Sequence, residues 1–415
     1  MPAILTQQAF LKATATNFLF FASLNCFFLL PLYIQQLGGT EVAVGVVMGI
    51  YSAVGILCQP LIGPWIDAVG RRPFMILGCA LVVASSLLAF VATAIPMLAV
   101  VRAMQGLGFS TFFVANYSYV IDLVPVERRG WALGIYGIAG MLSTALAPLF
   151  GEMVIRRFGF RPLFAACGVL ALLTGALLWT LRERERVNVP TVPDWASTRT
   201  MLEDVFHRHM AITVFFGLGS GTIFAFLPTF GESIGVRTLA LFYTAYACAA
   251  MGVRVVGGHW IDTHGRRAVI VPSMFLQTVG VAVLAALGFL VARVHGLPPL
   301  PVLFVAGLLA GGAHGFLYPG LAAIVADQAH EARRAAVVGV FSAVFLIGNS
   351  GGAFLFGYVA HRFGYGPMWS ALAALLLAGA VLSLGLSDQR AHPPPWPSQL
   401  TVYTGGRLMG SGFDF

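Results

Sequence analysis

The sequence predicts an all-α integral membrane protein with twelve transmembrane helices, arranged as two six-helix repeats related by pseudo-two-fold symmetry. Of its 415 residues, 58% are hydrophobic and only 10% are charged, whereas a soluble domain carries about 25% charged residues. Twelve apolar stretches are long enough to cross a bilayer, which takes about 20 helical residues. One ten-residue stretch also occurs twice, and an internal repeat of this kind decides the fold.

The predicted spans follow one another with short loops, apart from one polar break after the sixth. Gly and Pro occur within them, as transmembrane helices tolerate. Spans 1 to 6 are predicted at 11–36, 42–64, 74–94, 97–121, 131–154 and 163–181. Spans 7 to 12 are predicted at 210–231, 239–260, 269–291, 301–326, 336–359 and 367–387.

The duplicated stretch is Gly63-Pro-Trp-Ile-Asp67-Ala-Val-Gly70-Arg71-Arg72, which recurs as Gly258-His-Trp-Ile-Asp262-Thr-His-Gly265-Arg266-Arg267. Seven of the ten positions are identical after a shift of 195. Shorter matches extend the repeat, at Leu30-Pro31 with Leu227-Pro228, at Gly108-Phe109 with Gly315-Phe316, and at Arg157-Phe-Gly159 with Arg362-Phe-Gly364. Two parallel repeats of six spans are a transporter architecture, with a site near the midplane where the halves meet.

Basic residues predict the orientation. With the N-terminus inside, sixteen of the 24 Lys and Arg residues fall on the cytoplasmic side and six on the outer side, with Arg102 and Arg254 inside spans. Both termini are therefore predicted to be cytoplasmic. Residues 182–209 are charged, contain prolines and lack a span, so they are predicted to be a cytoplasmic linker between bundles 1–181 and 210–388. Residues 389–415 are predicted to be a disordered cytoplasmic tail.

These motifs resemble those of the major facilitator superfamily, in its drug:proton antiporter-like branch. Gly63-x-x-x-Asp67-x-x-Gly70-Arg71-Arg72 resembles the signature between spans 2 and 3, and its second copy resembles the weaker signature between spans 8 and 9. Arg102-Ala-Met-Gln105-Gly106 resembles the span 4 motif of proton-coupled branches. Ala147-Pro148-Leu-Phe-Gly151 resembles in part the span 5 motif of drug exporters, with Ala147 where the family has Gly.

The resemblance implies a secondary active transporter, not an enzyme. It is expected to export a small, weakly polar or amphipathic organic molecule by alternating access, as a proton antiporter of the bacterial cytoplasmic (inner) membrane. No cofactor, metal or nucleic acid is expected, and the chain is expected to be a monomer in the bilayer. An uptake carrier or an uncoupled facilitator stays an alternative. An integral-membrane enzyme is disfavoured because no His-rich cluster, Ser-His-Asp set or paired carboxylates occur at the membrane face.

The resemblance also implies that spans 2 and 11 pack across the boundary between the halves. Asp67 would then face the N-terminus of span 11 when the cytoplasmic side is closed, because helix N-termini attract anions, and Asp262 would do the same to span 5. The predicted gating residues are Gly63, Asp67, Gly70, Arg71, Arg72, Asp262, Gly265, Arg266 and Arg267. The arginines could pair with these acids or with lipid headgroups, or could serve as topology anchors only.

Arg102 and His314 are the predicted coupling residues. An arginine inside a span marks function by default, although Arg102 could also snorkel to the outer interface. Histidine titrates near neutral pH, although His314 could also be a neutral residue hydrogen-bonded to a neighbouring helix. Arg254 is expected to pair with Asp262. No acid lies near the centre of spans 1, 4, 7 or 10, so the coupling ion stays open.

In the family that the chain resembles, spans 1, 4, 7 and 10 line the substrate cavity. These spans carry aromatic and amide side chains with little charge, which suits a weakly polar organic molecule better than a small ion, although many of the aromatics could instead face lipid. The predicted cavity residues, besides His314, are Asn17, Phe21, Asn25, Phe113, Asn116, Tyr117, Thr222, Phe224 and Tyr318.

The orientation can be tested with single cysteines at Glu185 and Thr40, introduced after the five native cysteines have been replaced. We expect membrane-impermeant thiol reagents to label Thr40→Cys from outside intact cells, and Glu185→Cys only after the membrane is opened. Labelling of both positions from outside would contradict the twelve-span topology.

Overall fold

The computed structural model describes residues 2–124, 129–182, 208–291, 293, 298–327 and 334–386. Near several helix ends only the backbone is described, which includes Asp67, residues 129–133, residues 256–263 and residues 325–339 where they are helical. Within these residues the chain is helical without strands, so the predicted fold class is confirmed. The linker and the tail predicted at 182–209 and 389–415 lie almost entirely outside the described residues.

Twelve helical spans are present in the described chain. Span 1 comprises an α-helix Pro2–Asn25, a 3-10 turn Cys26–Leu29 and a second α-helix Leu30–Gln36. Spans 2 to 6 are Glu41–Val69, Arg71–Val91, Ile95–Leu123, Arg129–Phe158 and Phe160–Trp179. Spans 7 to 12 are Arg208–Ser233, Ala240–His264, Arg267–Leu290, Pro299–Asp327, Arg334–Phe363 and Tyr365–Ser383.

Eleven of these spans are long and apolar enough to cross a membrane over their described residues. The exception is span 8, whose described apolar part is the shorter stretch Ala240–Val255. The helix itself continues to His264, and at 25 residues it is longer than a bilayer crossing requires. The chain is therefore a multi-pass membrane protein.

The break in span 1 lies just before a proline. Pro31 lacks a backbone N–H, and the ring of a proline clashes with the carbonyl four residues earlier, here that of Phe27. At this point one 3-10 turn, Cys26–Leu29, interrupts the α-helix, which resumes at Leu30. The matching proline of span 7, Pro228, lies inside a helix that runs without interruption from Arg208 to Ser233.

Helices 2 and 8 end later than the hydropathy predicts. The sequence predicts that spans 2 and 8 end at residues 64 and 260, but their helices continue to Val69 and His264. Each ends where a glycine takes a positive φ, Gly70 at 130° and Gly265 at 81°, a conformation that costs glycine little. The duplicated stretch is thus helical until Gly70 in the first copy and Gly265 in the second, and Pro64 does not end the helix.

The two halves have the same internal packing. Span 1 packs on spans 5 and 6, span 4 packs on spans 2 and 3, and span 3 packs on span 6. The same pairs recur six spans later, with span 7 on 11 and 12, span 10 on 8 and 9, and span 9 on 12. The halves meet where span 2 packs on span 11 and span 5 packs on span 8. The two-repeat arrangement therefore places a pseudo-two-fold axis between them.

Two glycines give the register of the repeat in spans 4 and 10. A Cβ at Gly106 would collide with the carbonyl oxygen of Tyr51, and one at Gly311 would collide with that of Tyr246. Tyr51 and Tyr246 are related by the shift of 195, so Gly106 corresponds to Gly311 and the shift in these spans is 205. The sequence analysis aligns Gly108 with Gly315, a shift of 207, and this alignment is two residues out of register with the structure.

These close approaches predict that Gly106→Ala and Gly311→Ala both lower thermal stability. The added methyl group has no room against a neighbouring backbone, and overpacking costs typically 1–3 kcal/mol. The matched control is Gly252→Ala, because a Cβ at Gly252 meets no described atom within 4 Å. Scanning fluorimetry of the purified variants should show a lower melting temperature for the first two alone. A loss in Gly252→Ala of the same size would contradict the assignment.

Candidate transport site and gates

We call the end of the bundle that carries Glu41, Glu152 and His361 the outer end, since the distribution of basic residues predicts it to be extracellular. The opposite end, with Arg71 and Arg267, is called the inner end. Both names are kept below. The predicted gating residues lie at the inner end, and three polar contacts between the halves lie at the outer end.

At the inner end, the arginines after each turn glycine hold helices of the same half together. The Arg71 guanidinium forms an ion pair with Asp122 at the end of span 4, at 2.9 Å. Arg72 donates a hydrogen bond to the carbonyl of Trp179 at 3.1 Å and lies over its ring, 5.3 Å from the centroid. Spans 3, 4 and 6 are thereby joined at one rim.

The second repeat reproduces one of these contacts. Arg267 donates to the carbonyl of Leu384, just after span 12, at 3.0 Å. Arg266 is half-buried beside the buried Gly265. A Cβ at Gly63 would meet no described atom within 4 Å. The side chains of Asp67 and Asp262 lie outside the described residues, so their predicted contacts with spans 11 and 5 stay predictions.

The outer end is closed by two polar contacts that the pseudo-symmetry relates. Glu41 at the start of span 2 lies 3.1 Å from Nδ1 of His361, near the end of span 11. Arg156, at the end of span 5, donates to the carbonyl of Arg237 and to the hydroxyl of Thr238, before span 8. The shift of 205 relates Arg156 to His361. Each outer corner of the boundary is thus bridged once.

A buried carboxylate adds a third contact at the second corner. Oε1 of Glu152 accepts the backbone N–H of Ala240, the first residue of span 8, at 2.8 Å. Oε2 of Glu152 lies 3.5 Å from Arg156. The carboxylate therefore occupies the positive end of a helix in the opposite half, where an anion is stabilised by typically 0.3–1 kcal/mol, and more when partly buried. This contact requires the outer ends to be together.

Below these corners the boundary is sealed by close packing. The Phe28 ring stacks near Phe224 and Tyr243 of the other half, with centroids 4.7 and 5.5 Å apart. The Ser52 hydroxyl donates to Asn349 at 2.8 Å, between spans 2 and 11. A Cβ at Gly45 would collide with the carbonyl of Ala353. The outer half of the boundary is therefore closed in this structure.

Two aromatic clusters face each other at the middle of the bundle, one in each half. In the first half, Phe21 packs edge-on against Phe109 and Phe113, and Phe109 lies 5.6 Å from Tyr51. The equivalent residues of the second half are Phe216 and Tyr246 (a shift of 195) and His314 and Tyr318 (a shift of 205), and they form the second cluster. The same ring contacts occur there, with His314 lying 5.2 Å from Phe216 and 5.6 Å from Tyr246.

The second cluster is the more polar one. His314 replaces Phe109, and its Nδ1 is buried without a hydrogen-bond partner among the described residues. Tyr318 replaces Phe113 and stacks on His314, with centroids 6.0 Å apart. In the first half, Tyr117 continues the aromatic row from Phe113 and packs edge-on against Tyr136. The tyrosines of the two halves thus converge on the space between them.

Arg254 lies in this central region, which the sequence analysis did not anticipate. Its Nη1 is 3.0 Å from the position that a Cβ at Gly137, on span 5 of the opposite half, would occupy. Its charge acts on Tyr246, Tyr318 and His314. No described carboxylate lies within ion-pair distance of it. The expected partner Asp262 has no described side chain, and nothing in the local sequence around Arg254 signals a contact with span 5.

Several predicted cavity residues instead join helices within one half. The amide of Asn17 donates to the carbonyl of Tyr136, and that of Asn25 donates to Ser143 and Thr144. The amide of Asn116 donates to the carbonyl of Ala13 and to the Tyr136 hydroxyl. The hydroxyl of Thr222 donates to its own helix at Leu218 and lies against Gly352. Phe224 belongs to the outer seal. Phe21, Phe113, Tyr117, His314 and Tyr318 are the ones that the structure brings to the centre.

Arg102 is buried within the first half and does not snorkel outwards. Its side chain is 6% exposed, and its guanidinium lies over the Tyr51 ring, 4.3 Å from the centroid. It donates to Oε1 of Gln105, one turn later, at 2.9 Å. An aromatic face and an amide oxygen thus stabilise this cation, and Tyr51 lies between it and Phe109 of the central cluster. The described part of the chain contains no group of His, Cys, Asp or Glu side chains that could hold a metal ion.

A family model for the Major Facilitator Superfamily matches residues 13–296 and 210–402. The chain belongs to this superfamily. It is a transporter and not an enzyme. Among its relatives is the staphylopine export protein of Staphylococcus aureus, 24% identical over 392 residues, which cover 90% of this chain and 95% of that protein.

Two further comparisons agree. Multidrug resistance protein MdtG of Dickeya zeae is 25% identical over 395 residues, which cover 88% of this chain and 93% of that protein. Among solved structures, a mutant of the nucleoside transporter NupG superposes with a TM-score of 0.71 at 14% identity, covering 91% of this chain and 99% of that one. The similarity to MdtG extends along nearly the whole chain, and the similarity to NupG shows the fold.

The outer contacts predict that Glu152→Gln favours opening of the outer end. The variant removes the charge that faces the N-terminus of span 8 and Arg156, and such a contact is worth about 1–2 kcal/mol when partly buried. A single cysteine replacing Phe113, in the central cluster below the seal, should react with external thiol reagents several-fold faster in this variant. The control is Glu232→Gln, an exposed acid at the end of span 7. Equal rates in both variants would contradict a sealing role for Glu152.

Proposed function

We propose that the chain exports a small, weakly polar or amphipathic organic molecule across a bacterial cytoplasmic membrane by alternating access. The observation that carries this proposal is an aromatic centre between two pseudo-symmetric halves, beneath an outer end that is closed. Molecules reach such a centre from one side at a time. Export is favoured over uptake by the names of the relatives, an export protein and a multidrug resistance protein.

The proposed cycle exchanges the outer contacts for inner ones. With the outer end closed, Glu152 and Arg156 bridge spans 5 and 8, and Glu41 and His361 bridge spans 2 and 11. In the opposite state, Asp67 and Asp262 would face the N-termini of spans 11 and 5, by the same attraction of an anion to a helix start. The ion pair of Arg71 with Asp122 and the contacts of Arg72 and Arg267 lie within one half, so each half can move as a unit.

Asp67→Asn should therefore slow transport greatly while leaving expression and substrate binding largely intact. Loss of one charge contact, worth about 1–2 kcal/mol at most, shifts the balance of the two states without touching the centre. The measurement is initial flux in reconstituted vesicles, together with ligand binding by thermal shift. Unchanged flux would show that the duplicated stretch is an anchor only.

We further propose that export is driven by protons, with His314 as the group that titrates at the centre and Arg102 as the residue that tunes it. His314→Gln keeps hydrogen bonding but cannot carry a proton. It should abolish uphill movement driven by a pH gradient and spare downhill exchange. Arg102→Lys keeps the charge but loses the planar fork, so it should impair coupling without abolishing it.

The test is flux in inverted vesicles with and without an imposed pH gradient. The probes are fluorescent aromatic compounds of each charge type, namely ethidium, fluorescein and Nile red. Gradient-driven flux that survives in His314→Gln removes this residue from coupling. A parent protein whose flux never responds to pH is a facilitator or uses another ion. A parent that moves none of the probes and none of the naphthalene compounds named below would contradict the proposed export.

A further inference from the structure

We propose that Arg254 binds the anionic group of the transported molecule, so that the substrate class is organic anions with a ring system. This inference rests on the proposed function, because it names the chemistry of the same central site. It is carried by the lack of a counter-charge for Arg254 among the described side chains, by the hydrogen-bond donors near it and by its position against both halves.

Arg254 has no counter-charge among the described side chains. Nε of Arg254 is buried without a hydrogen-bond partner among the described residues, and no described carboxylate lies within 4 Å of the guanidinium. A buried charge in a membrane protein is costly unless it is paired. Arg102, the other arginine inside a span, is covered by the Tyr51 ring and by Gln105. Nε of Arg102 also lacks a described hydrogen-bond partner, but no described ring, amide or carboxylate covers the guanidinium of Arg254, so its environment leaves a place for an anion.

The side chains nearest to Arg254 in its own half include hydrogen-bond donors. Tyr246 and Tyr318 both pack on His314, the three lie close enough to Arg254 for their charges to interact, and each carries a polar atom that can donate a hydrogen bond. Donors with no described negative group beside them are the pattern that suits a carboxylate or sulfonate rather than an amine.

The guanidinium of Arg254 lies between the halves. Nη1 lies close to Gly137 of span 5, where the absence of a side chain leaves room for it. An anion bound there would contact both halves at once. Tyr136 directly precedes Gly137 on span 5, and Tyr117 packs edge-on against Tyr136. Flat aromatic rings on both sides of a single cation fit a ring-bearing anion, with the rings packing on its body.

The pseudo-symmetry shows that the cation is specific to one half. The shift of 195 relates Arg254 to Gln59, which is buried with both amide atoms lacking a hydrogen-bond partner among the described residues. The repeat therefore keeps a polar residue at both positions and places the charge on span 8 alone. A bound molecule would be oriented by this asymmetry, with its anionic group towards span 8.

The experiment compares two probes that differ only in charge, 2-naphthoate and 2-naphthamide. In purified parent protein we expect 2-naphthoate to bind at least tenfold more tightly, measured by ligand-dependent thermal shift. Arg254→Gln should remove this preference, because a hydrogen bond between charged partners contributes roughly ten- to a hundred-fold in affinity. Arg254→Lys should retain part of it. The matched control, Arg161→Gln, removes an exposed arginine at the start of span 6 and should keep the full preference.

A second variant covers the case in which Arg254→Gln does not fold. Gly137→Ala keeps every charge, but its methyl group would lie 3.0 Å from Nη1 and displace the guanidinium. We expect it to weaken 2-naphthoate binding several-fold and to leave 2-naphthamide unchanged. Equal binding of the two probes by the parent would overturn the assignment of Arg254, whatever the variants do.

Flux of the same two probes in vesicles separates the two proposals. If the parent transports 2-naphthamide as fast as 2-naphthoate, transport stands and the assignment of organic anions fails. If it binds 2-naphthoate selectively but moves no probe of any charge, the anion site stands and the proposed export fails. Selective flux of 2-naphthoate that is lost in Arg254→Gln and kept in Arg161→Gln supports both.

Discussion

Lipid cannot hydrogen-bond to a polar side chain, and this constraint explains where the polar residues of the spans lie. Asn17, Asn25 and Asn116 each donate to a neighbouring helix of the same half. Ser52 joins span 2 to span 11 through Asn349. At the centre, Nε of Arg254 and Nδ1 of His314 lack a hydrogen-bond partner among the described residues. Helix packing thus uses many of the polar side chains of the spans and leaves these two groups at the boundary of the halves unsatisfied.

The two halves share one scaffold but not one chemistry. Close contacts at Gly106 and Gly311 place spans 4 and 10 at the same distance from spans 2 and 8. On that scaffold His314 and Tyr318 of the second half take the places that Phe109 and Phe113 occupy in the first. A duplicated fold needs equal helix spacing in both copies, whereas a substrate needs to be oriented. Both requirements are met when equivalent positions of the two halves carry different ring-bearing side chains.

The sequence predicts the twelve spans, the repeat and the turn glycines, because apolar length and local identity carry these features. It misplaces the ends of spans 2 and 8, since a polar helical turn has the composition of a loop until Gly70 or Gly265 stops it. It counts Asn25 and Thr222 as cavity residues because a sequence gives the span but not the face. The place of Arg254 could not be predicted, because its contact with Gly137 joins helices from different halves. The sequence does carry one sign of a shared role for this position, because the equivalent residue of the first repeat, Gln59, is also polar.

The 3-10 turn of span 1 gives the halves different mechanical properties. Mid-helix turns of this kind often mark hinges, and this one carries Phe28, whose ring packs on Phe224 and Tyr243. Span 7 runs unbroken past its own proline. A bend within span 1 would withdraw one ring from the seal while both bundles stay in place. Bending at this turn would open the seal locally, whereas separation of the halves would open it along the whole boundary.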